Sequence, residues 1–264
     1  MTTVLMIAGT GEGPPLAAGL AARGLRVIAT VTTDAGRRMF ARCRASVEAR
    51  VIRFDDDTLA GTLAAEGVGC VLNTAHPFAV EIAERVMRVC AKAGVPVIRF
   101  ERPAVAVQGA ARVYNDFPTL AADPFLIGRR VLLALGFRPL RLFAGLHERT
   151  YMVARVMPTM ESLRAAERAG FSPDRIVAIR PPVGIDLERA LIRRFAIDTL
   201  AAKESGSPGG QDVKQALAGE PGGPVLLLVR RPAINYSAVF SEPVAAIEAC
   251  VAALAGRSSD GHNQ

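Results

Sequence analysis

The stretch Val4-Leu5-Met6-Ile7-Ala8 runs directly into the turn Gly9-Thr10-Gly11-Glu12-Gly13, which two prolines follow. Five consecutive apolar residues predict a strand buried on both faces, as in parallel sheets. The alternate glycines permit a tight turn and the close approach of a ligand, because they carry no Cβ. A helix beginning at Pro14-Pro15 would direct its first N–H groups towards the turn, which favours a bound phosphate. A strand-to-helix turn that binds nothing is the alternative, since a proline stands near the third glycine of the usual dinucleotide fingerprint.

Composition favours a cytoplasmic protein that handles an anionic small molecule. The chain has 264 residues, half of them hydrophobic, and a net charge of +7 that arginine supplies along its whole length. No apolar run approaches the roughly 20 residues of a membrane span, and the first residues lack the features of a signal peptide. Aromatic residues make up only 5% and tryptophan is absent, so stacking platforms for nucleic acid are scarce. We expect neither a membrane nor a nucleic acid as partner.

Cysteines and histidines give no sign of a metal centre. Four cysteines are scattered without a C-x-x-C pair, and three histidines show no ligand spacing. The cysteines are expected to be reduced, and several to be small core residues.

Strands alternate with helices along the whole chain, which predicts an α/β fold with parallel sheets. The interruption around residues 116–124, which is rich in small residues and prolines, predicts two Rossmann-like domains. The expected boundaries are 1–115 for the first domain, 125–256 for the second and 257–264 for a flexible tail.

In parallel α/β sheets, ligands bind beyond the carboxyl ends of the strands. The turns at Gly9, Asp34, His76 and Arg102 each follow a predicted strand, so they should face one common edge. His76 is a candidate acid, base or hydrogen-bond donor there, although it could equally serve only to order its turn.

The tip of the second predicted strand bears on the choice of cofactor. Asp34 could hold a ribose hydroxyl, whereas Arg37 and Arg38 could hold a 2′-phosphate. The pair of arginines favours the phosphorylated cofactor slightly, and a charged helix start that binds nothing stays open.

A second glycine-rich loop, Lys203-Glu204-Ser205-Gly206-Ser207-Pro208-Gly209-Gly210, lies between a predicted strand and a helix. Lys203 and the main-chain amides of Ser205 to Gly210 could bind a carboxylate or a phosphate. A flexible loop with a solvated lysine is the alternative.

Five segments stand at predicted strand ends: Gly9-Thr10-Gly11-Glu12, Asn73-Thr74-Ala75-His76-Pro77-Phe78-Ala79, Arg99-Phe100-Glu101-Arg102-Pro103, Lys203-Glu204-Ser205-Gly206 with Gly209-Gly210, and Arg230-Arg231-Pro232. Together they resemble the motifs of the precorrin-6A reductases, enzymes of corrin ring assembly in cobalamin biosynthesis. The family signature has Asp and Thr where this chain has Asn73 and Ala75.

The resemblance implies an oxidoreductase that uses NADPH, with NADH as the other possibility, to reduce a ring double bond of precorrin-6A to the dihydro form precorrin-6B. It implies a ligand cleft between two α/β halves and catalytic roles for His76 and Lys203. Implied cofactor-binding residues are Gly9, Thr10, Gly11, Glu12, Thr74, Ala75, Pro77, Phe78, Gly136 and Arg138. Implied ligands of the substrate carboxylates are Arg102, Ser205, Gly206, Gly209, Gly210, Arg230 and Arg231.

Several alternatives stay open at this point. The substrate could be metal-free precorrin-6A or its cobalt complex, and the fold could instead serve a non-catalytic nucleotide-binding regulator. Another class of nicotinamide-dependent reductase or epimerase lacks support, because the chain contains no Tyr-x-x-x-Lys pair. Neighbouring enzymes of the corrin pathway are conceivable partners, and the sequence does not indicate an oligomeric state.

Overall fold

The computed structural model describes residues 2–43, 45–103, 105–107 and 111–260. The chain divides into two units, of which the first comprises Met1–Arg102 with Ala233–Gln264 and the second Pro103–Pro232. Each unit contains one six-stranded sheet, and the paired strands of both sheets are parallel. The predicted α/β class is therefore confirmed, while the expected ligand cleft stays a prediction.

The first unit has the strand order β12-β5-β4-β1-β2-β3. Its strands are β1 (Thr3–Ala8), β2 (Arg26–Val31), β3 (Val47–Val51), β4 (Val68–Thr74), β5 (Val97–Phe100) and β12 (Val239–Phe240). Its helices are α1 (Gly13–Ala22), α2 (Asp34–Arg38), α3 (Asp56–Ala65), α4 (Val80–Ala93) and α9 (Pro243–Asp260).

The opening apolar run forms the central strand β1, which is buried along its whole length between β2 and β4. Val4 and Met6 pack in one apolar layer with residues of α1 and α9, whereas Leu5 and Ile7 pack in a second layer with residues of α3 and α4. Alternate residues of a strand point to opposite faces, so a run without polar breaks is what two helical layers require. Cys70, Cys90 and Cys250 are buried within these layers as free thiols.

The second unit has the strand order β6-β11-β10-β7-β8-β9. Its strands are β6 (Arg112–Tyr114), β7 (Arg130–Ala134), β8 (Tyr151–Val156), β9 (Ile176–Ala178), β10 (Thr199–Lys203) and β11 (Val225–Val229). Its α-helices are α5 (Phe117–Ala121), α6 (Met160–Arg168), α7 (Ile185–Arg194) and α8 (Gln211–Ala218). Short 3₁₀ helices span Pro124–Leu126, Arg138–Leu146, Pro173–Arg175 and Ser207–Gly209.

The observed division differs from the predicted boundaries at both ends of the second unit. Strand β6 lies within the range predicted for the first domain, yet it pairs with β11 at the edge of the second sheet. Strand β12 and helix α9 return to the first unit, where α9 fills the layer beside α1. Helical periodicity reports an apolar face but not the sheet that it covers, so the sequence pattern does not assign α9 to either unit.

The predicted tail also differs in part from the structure. Helix α9 continues to Asp260, so residues 257–260 are helical. Residues 261–264 lie outside the described residues.

The position of α9 can be tested by substitution of Ile247, which is 6% exposed, against Val244, which is 64% exposed on the same helix. Ile247→Ala should lower the free energy of unfolding by about 2–5 kcal/mol, because it leaves a cavity in the layer beside β1. Val244→Ala should change it by less than about 0.5 kcal/mol. Urea denaturation measures both, and equal small effects would contradict the packing of α9 in this core.

Candidate active site

Strands β5, β4 and β1 are neighbours, so the turns that follow them lie side by side at one edge of the first sheet. The Gly9 turn and the His76 turn are in close contact. A Cβ placed on Gly9 would lie 3.4 Å from both the Ala75 Cα and the main-chain nitrogen of His76. The Thr10 hydroxyl donates to the carbonyl of Thr74 at 3.2 Å. These contacts join two segments that are more than sixty residues apart in the sequence.

A small cavity of about 10 Å³, enough for roughly one water molecule, opens among these turns. Six residues predicted to bind ligands line it: Thr10, Glu12, Thr74, Ala75, Pro77 and Arg102. Arg99, Phe100 and Glu101 complete the lining. The structure therefore brings together most of the site residues that were predicted for the first half of the chain.

Arg102 and Glu12 form an ion pair across this cavity, with 3.1 Å between their charged groups. Arg102 is 9% exposed, so the pair is largely shielded from solvent. The resemblance implied separate roles for the two residues, one towards the substrate and one towards the cofactor. Their pairing adds a further role, because Arg102 compensates the negative charge that Glu12 brings to the glycine turn.

Arg99 is a buried organising residue that the sequence prediction did not include among the site residues. It is 3% exposed, and its guanidinium donates to the Ala75 carbonyl at 2.8 Å and to the Asn73 side-chain oxygen at 3.3 Å. Its Nε lies 3.5 Å from the Glu101 carboxylate. A charged residue within a buried strand must be paired or hydrogen-bonded, and this rule is the signal that could have singled it out. Arg99 fixes the main chain immediately before His76.

Asn73 and Tyr236 extend this buried polar group. The Asn73 side-chain oxygen accepts from the Ala75 N–H at 3.0 Å, while its amide nitrogen donates to the Tyr236 hydroxyl at 3.0 Å. An amide can donate and accept at once, whereas a carboxylate at this position could only accept. Burial raises the pKa of Tyr236 above its usual range. Tyr236 follows the second unit in the chain, and none of the recognised motifs pointed to it.

His76 is half-buried at the start of the turn that Arg99 fixes. Its Nδ1 accepts a hydrogen bond from the Phe78 N–H at 3.2 Å. The proton of the neutral ring is therefore on Nε2, which makes Nε2 the donor. This arrangement suits the predicted role of His76 as a hydrogen-bond donor or acid.

The glycine turn fits a cofactor phosphate only in part. Helix α1 begins with Gly13, Pro14 and Pro15, so two of its first three residues have no N–H, and the Gly13 N–H already bonds to the Thr10 carbonyl at 3.3 Å. The expectation of a helix terminus rich in unpaired N–H groups is therefore wrong. A Cβ on Gly11 would have no neighbour within 4 Å, which leaves room beside the turn itself.

The tip of β2 carries the residues predicted to select the cofactor. Arg37 pairs with Asp34 at 3.1 Å, and both side chains are exposed. Arg38 is exposed in the same short helix α2. An exposed ion pair of this kind contributes little to stability, so Arg37 can turn away from Asp34 towards a phosphate at small cost. Arg38 is exposed beside it and can do the same.

In the second unit, Lys203 ends strand β10 beside the turn that follows β7. Its Nζ lies 5.5 Å from the centroid of the Phe117 ring and 3.6 Å from the place that a Cβ on Gly136 would occupy. Burial, together with the nearby charge of Arg138, lowers the pKa of Lys203 to about 8. Gly136 and Arg138 are implied cofactor-binding residues and Lys203 is an implied catalytic residue. The structure brings these three residues together.

Three main-chain amides of the second glycine-rich loop already have hydrogen-bond acceptors within the protein. The Gly206 N–H donates to the Gln211 side-chain oxygen at 3.1 Å, the Gly209 N–H to the Gly206 carbonyl at 3.0 Å, and the Gly210 N–H to the Ser207 carbonyl at 2.8 Å. The expectation that these three amides are available to a ligand therefore does not hold for this conformation.

The shape of the loop explains why glycine stands at these positions. A Cβ on Gly209 would lie 2.0 Å from the Ser205 hydroxyl oxygen, and Gly206 and Gly210 both have a φ of 70°. Ser205 is itself 7% exposed. Contact of the loop with substrate stays a prediction.

The two closing arginines differ in their surroundings. The Arg231 guanidinium donates to the Glu204 carbonyl at 3.0 Å, and its main-chain N–H donates to the Glu204 carboxylate at 2.9 Å. Arg231 thus holds the start of the glycine-rich loop, whereas Arg230 is exposed.

Over the described ranges, no group of three or more His, Cys, Asp or Glu side chains is arranged to hold a metal ion. None of the helices in the same residues is long and apolar enough to cross a membrane.

A family model described as precorrin-6x reductase CbiJ/CobK matches residues 3–254. The chain belongs to this family. A cobalt-precorrin-6A reductase of Synechocystis sp. is 34% identical over 88% of this chain and 89% of its own length. A precorrin-6A reductase of Rhodococcus erythropolis is 28% identical over 97% of this chain and 100% of its own length. Among solved structures, CobK precorrin-6A reductase superposes with a TM-score of 0.75 at 26% identity, covering 96% of this chain and 97% of that one.

The titration of Lys203 in this precorrin-6x reductase family member can be measured directly, because the chain contains only three lysines. In protein labelled with [13Cε]lysine, the resonance that Lys203→Met removes should titrate with a midpoint near the pKa of about 8. Arg138→Ala should move that midpoint upward, since it removes a like charge. An unperturbed midpoint near 10.4, the reference value for lysine, would contradict the buried position of Lys203.

Proposed function

We propose that this protein reduces one ring double bond of precorrin-6A with NADPH and so forms the dihydro product precorrin-6B in cobalamin biosynthesis. Membership of the precorrin-6x reductase family over residues 3–254 is the observation that carries the proposal. The same membership favours a reductase over a non-catalytic nucleotide-binding regulator.

The carboxyl edge of the first sheet is the proposed place of the nicotinamide cofactor. Parallel α/β sheets bind ligands at this edge, and the turn has open space beside Gly11. Arg37 and Arg38 at the tip of β2 would hold a 2′-phosphate, which supports NADPH over NADH. When bound, the cofactor supplies the hydride.

The protein would contribute binding, orientation and a proton. Arginine side chains such as Arg230 suit the acetate and propionate groups of a tetrapyrrole through charge-assisted hydrogen bonds. Lys203, with a pKa of about 8, is protonated at neutral pH and yet close enough to its pKa to release a proton. His76 presents Nε2–H from a turn whose main chain is fixed by Arg99. Lys203 and His76 are therefore the two proposed sources of the proton that accompanies the hydride.

Cobalt-precorrin-6A is the second candidate substrate. The Synechocystis relative, 34% identical to this chain, carries the name cobalt-precorrin-6A reductase. The two substrates differ at the ring centre, where only one of them carries a cobalt ion.

The proposed activity is tested by mixing the purified protein with NADPH and either precorrin-6A or its cobalt complex while following the absorbance of the reduced nicotinamide. Oxidation that depends on both protein and macrocycle is expected, and the faster of the two macrocycles identifies the substrate form. Tight binding of NADPH without turnover of either macrocycle would contradict the proposal and support the regulator.

Substitution at the tip of β2 tests the choice of cofactor. The double variant Arg37→Ala/Arg38→Ala should raise KM for NADPH about tenfold or more, because hydrogen bonds to charged groups are worth about 1.5–3 kcal/mol. KM for NADH should change little, as NADH lacks the 2′-phosphate. Arg193→Ala, which removes an exposed arginine from α7 in the second unit, is the matched control. Equal effects on both cofactors would show that the two arginines do not bind the 2′-phosphate.

Substitution of His76 tests its proposed role as donor. His76→Ala should lower kcat/KM by about 10²–10⁴-fold, the usual contribution of a general acid. His76→Gln should recover part of that loss, because its amide N–H can donate near the position of Nε2. If His76→Ala leaves the reductase rate and the substrate affinity unchanged, His76 does not belong to the active site.

A further inference from the structure

Lysine is rare in this chain and is concentrated around one loop. Lysine and arginine together number 32, yet lysine occurs only at positions 92, 203 and 214. Lys92 is exposed on α4, whereas Lys203 precedes the Ser205–Gly210 loop and Lys214 lies in the helix α8 that follows it. Lys214 belongs to none of the predicted motifs, and the proposed function does not use it.

The Lys214 ammonium is buried beneath the loop and bonds to its main chain. The residue is 4% exposed, and its Nζ donates to the Gly210 carbonyl at 2.7 Å and to the Gly209 carbonyl at 3.1 Å. The ammonium also lies close to Gly210, since a Cβ on Gly210 would be only 3.1 Å from the Nζ. Two consecutive carbonyl groups of the loop are thus held by one side chain.

A buried carboxylate and a second cation explain why the ammonium needs these carbonyls. Glu188 in α7 is 1% exposed and forms an ion pair with Arg155 of β8, while the Lys214 Nζ lies 4.0 Å from the same carboxylate oxygen. One carboxylate therefore faces two cations. A buried ion that is incompletely paired must find other polar partners, and the loop carbonyls are the partners of Lys214.

The held carbonyls are linked to Ser205 through packing. Gly209 lies directly against the Ser205 side chain, so close that any Cβ there would overlap the hydroxyl oxygen. Ser205 is 7% exposed and has little room to adjust. A shift of the Gly209 peptide would therefore displace Ser205.

We infer that Lys214 is a positioning residue whose side chain holds the Ser205–Gly210 loop in its present conformation and so places Ser205, and not the bonded amides of Gly206, Gly209 and Gly210, for contact with the tetrapyrrole carboxylates. The inference rests on the proposed function and specifies what controls the substrate loop. Lys214 acts through the carbonyls of Gly209 and Gly210 and not by touching the substrate.

The hold of Lys214 depends on pH because the ammonium can lose its proton. The charged groups around it are Arg155 on β8, Glu188 on α7 and Asp212 on α8 itself. Burial and the charge of Arg155 lower the pKa of Lys214 to about 8, against the opposing effect of the two carboxylates. Below this pKa the buried charge opposes the closed loop, and that cost disappears as the pH rises through it, because the neutral amine still donates to the Gly209 and Gly210 carbonyls.

Amide hydrogen exchange tests the structural half of the inference without substrate. In Lys214→Met, the amides of Gly209, Gly210 and Gln211 should exchange about tenfold faster than in the wild type, because the loop opens locally more often. Lys92→Met, the matched control, should leave them unchanged. In the wild type this protection should increase as the pH rises through about 8, after correction for intrinsic exchange, because an open loop would return the amine to its usual pKa. Lys214→Met should show no such increase.

Steady-state kinetics tests the functional half. Lys214→Met should raise KM for the tetrapyrrole about five- to tenfold while KM for NADPH and kcat stay within about twofold, since the loop is proposed to bind substrate only. Lys214→Gln, which keeps a donor but no charge, should lie between Lys214→Met and the wild type. Lys92→Met should behave as the wild type.

Four outcomes would overturn the inference or separate it from the proposed function. Wild-type exchange and wild-type KM in Lys214→Met would overturn it, as would a rise of protection with pH that Lys214→Met shares. Equal rises of KM for both ligands would indicate a general structural role and also overturn it. Absence of turnover in the wild type with either macrocycle would refute the proposed function, while the exchange experiment would still decide whether Lys214 holds the loop. If Lys214→Met does not fold, the pH dependence of exchange in the wild type and Lys214→Gln decides the matter.

Discussion

The hydrogen bond from the Arg99 guanidinium to the Ala75 carbonyl is the interaction on which the turns at the carboxyl edge of the first sheet depend. Arg99 is held in a buried strand by the sheet, so its position is set by the core. Its 2.8 Å bond to Ala75 transfers that rigidity to the turn that carries His76. The Gly9 turn contacts the same peptide, and this contact fixes the Gly9 turn and the His76 turn relative to each other.

Both units use a buried cation to hold the main chain of a turn. Arg99 holds the carbonyl that precedes His76, and Lys214 holds the carbonyls of Gly209 and Gly210. The difference between the two cations has a chemical consequence. A guanidinium stays charged at every physiological pH, whereas a buried ammonium can be neutralised.

Much of the fold could be predicted from the sequence, because the signals involved are local. An unbroken apolar run identifies β1, and polar turns after successive strands identify the shared edge where Thr10 and Thr74 now meet. The predictions that differed required knowledge of distant contacts. Helix α9 shows an apolar face, but nothing in its periodicity names the sheet that it covers. The amides of Gly209 and Gly210 bond within their own loop and that of Gly206 bonds to the Gln211 side chain, and hydrogen bonds of this kind are not visible in a glycine pattern. Tyr236 reaches Asn73 from a position 163 residues further along the chain.

Membership of the precorrin-6x reductase family supports the proposed delivery of a hydride to a tetrapyrrole ring. The most direct measurement is mass spectrometry of the macrocycle after turnover with NADPH deuterated at the transferred position of the nicotinamide. The account predicts a reduced macrocycle that carries one deuterium from the cofactor and one proton from solvent. Oxidation of the cofactor with no deuterium in the macrocycle would contradict it.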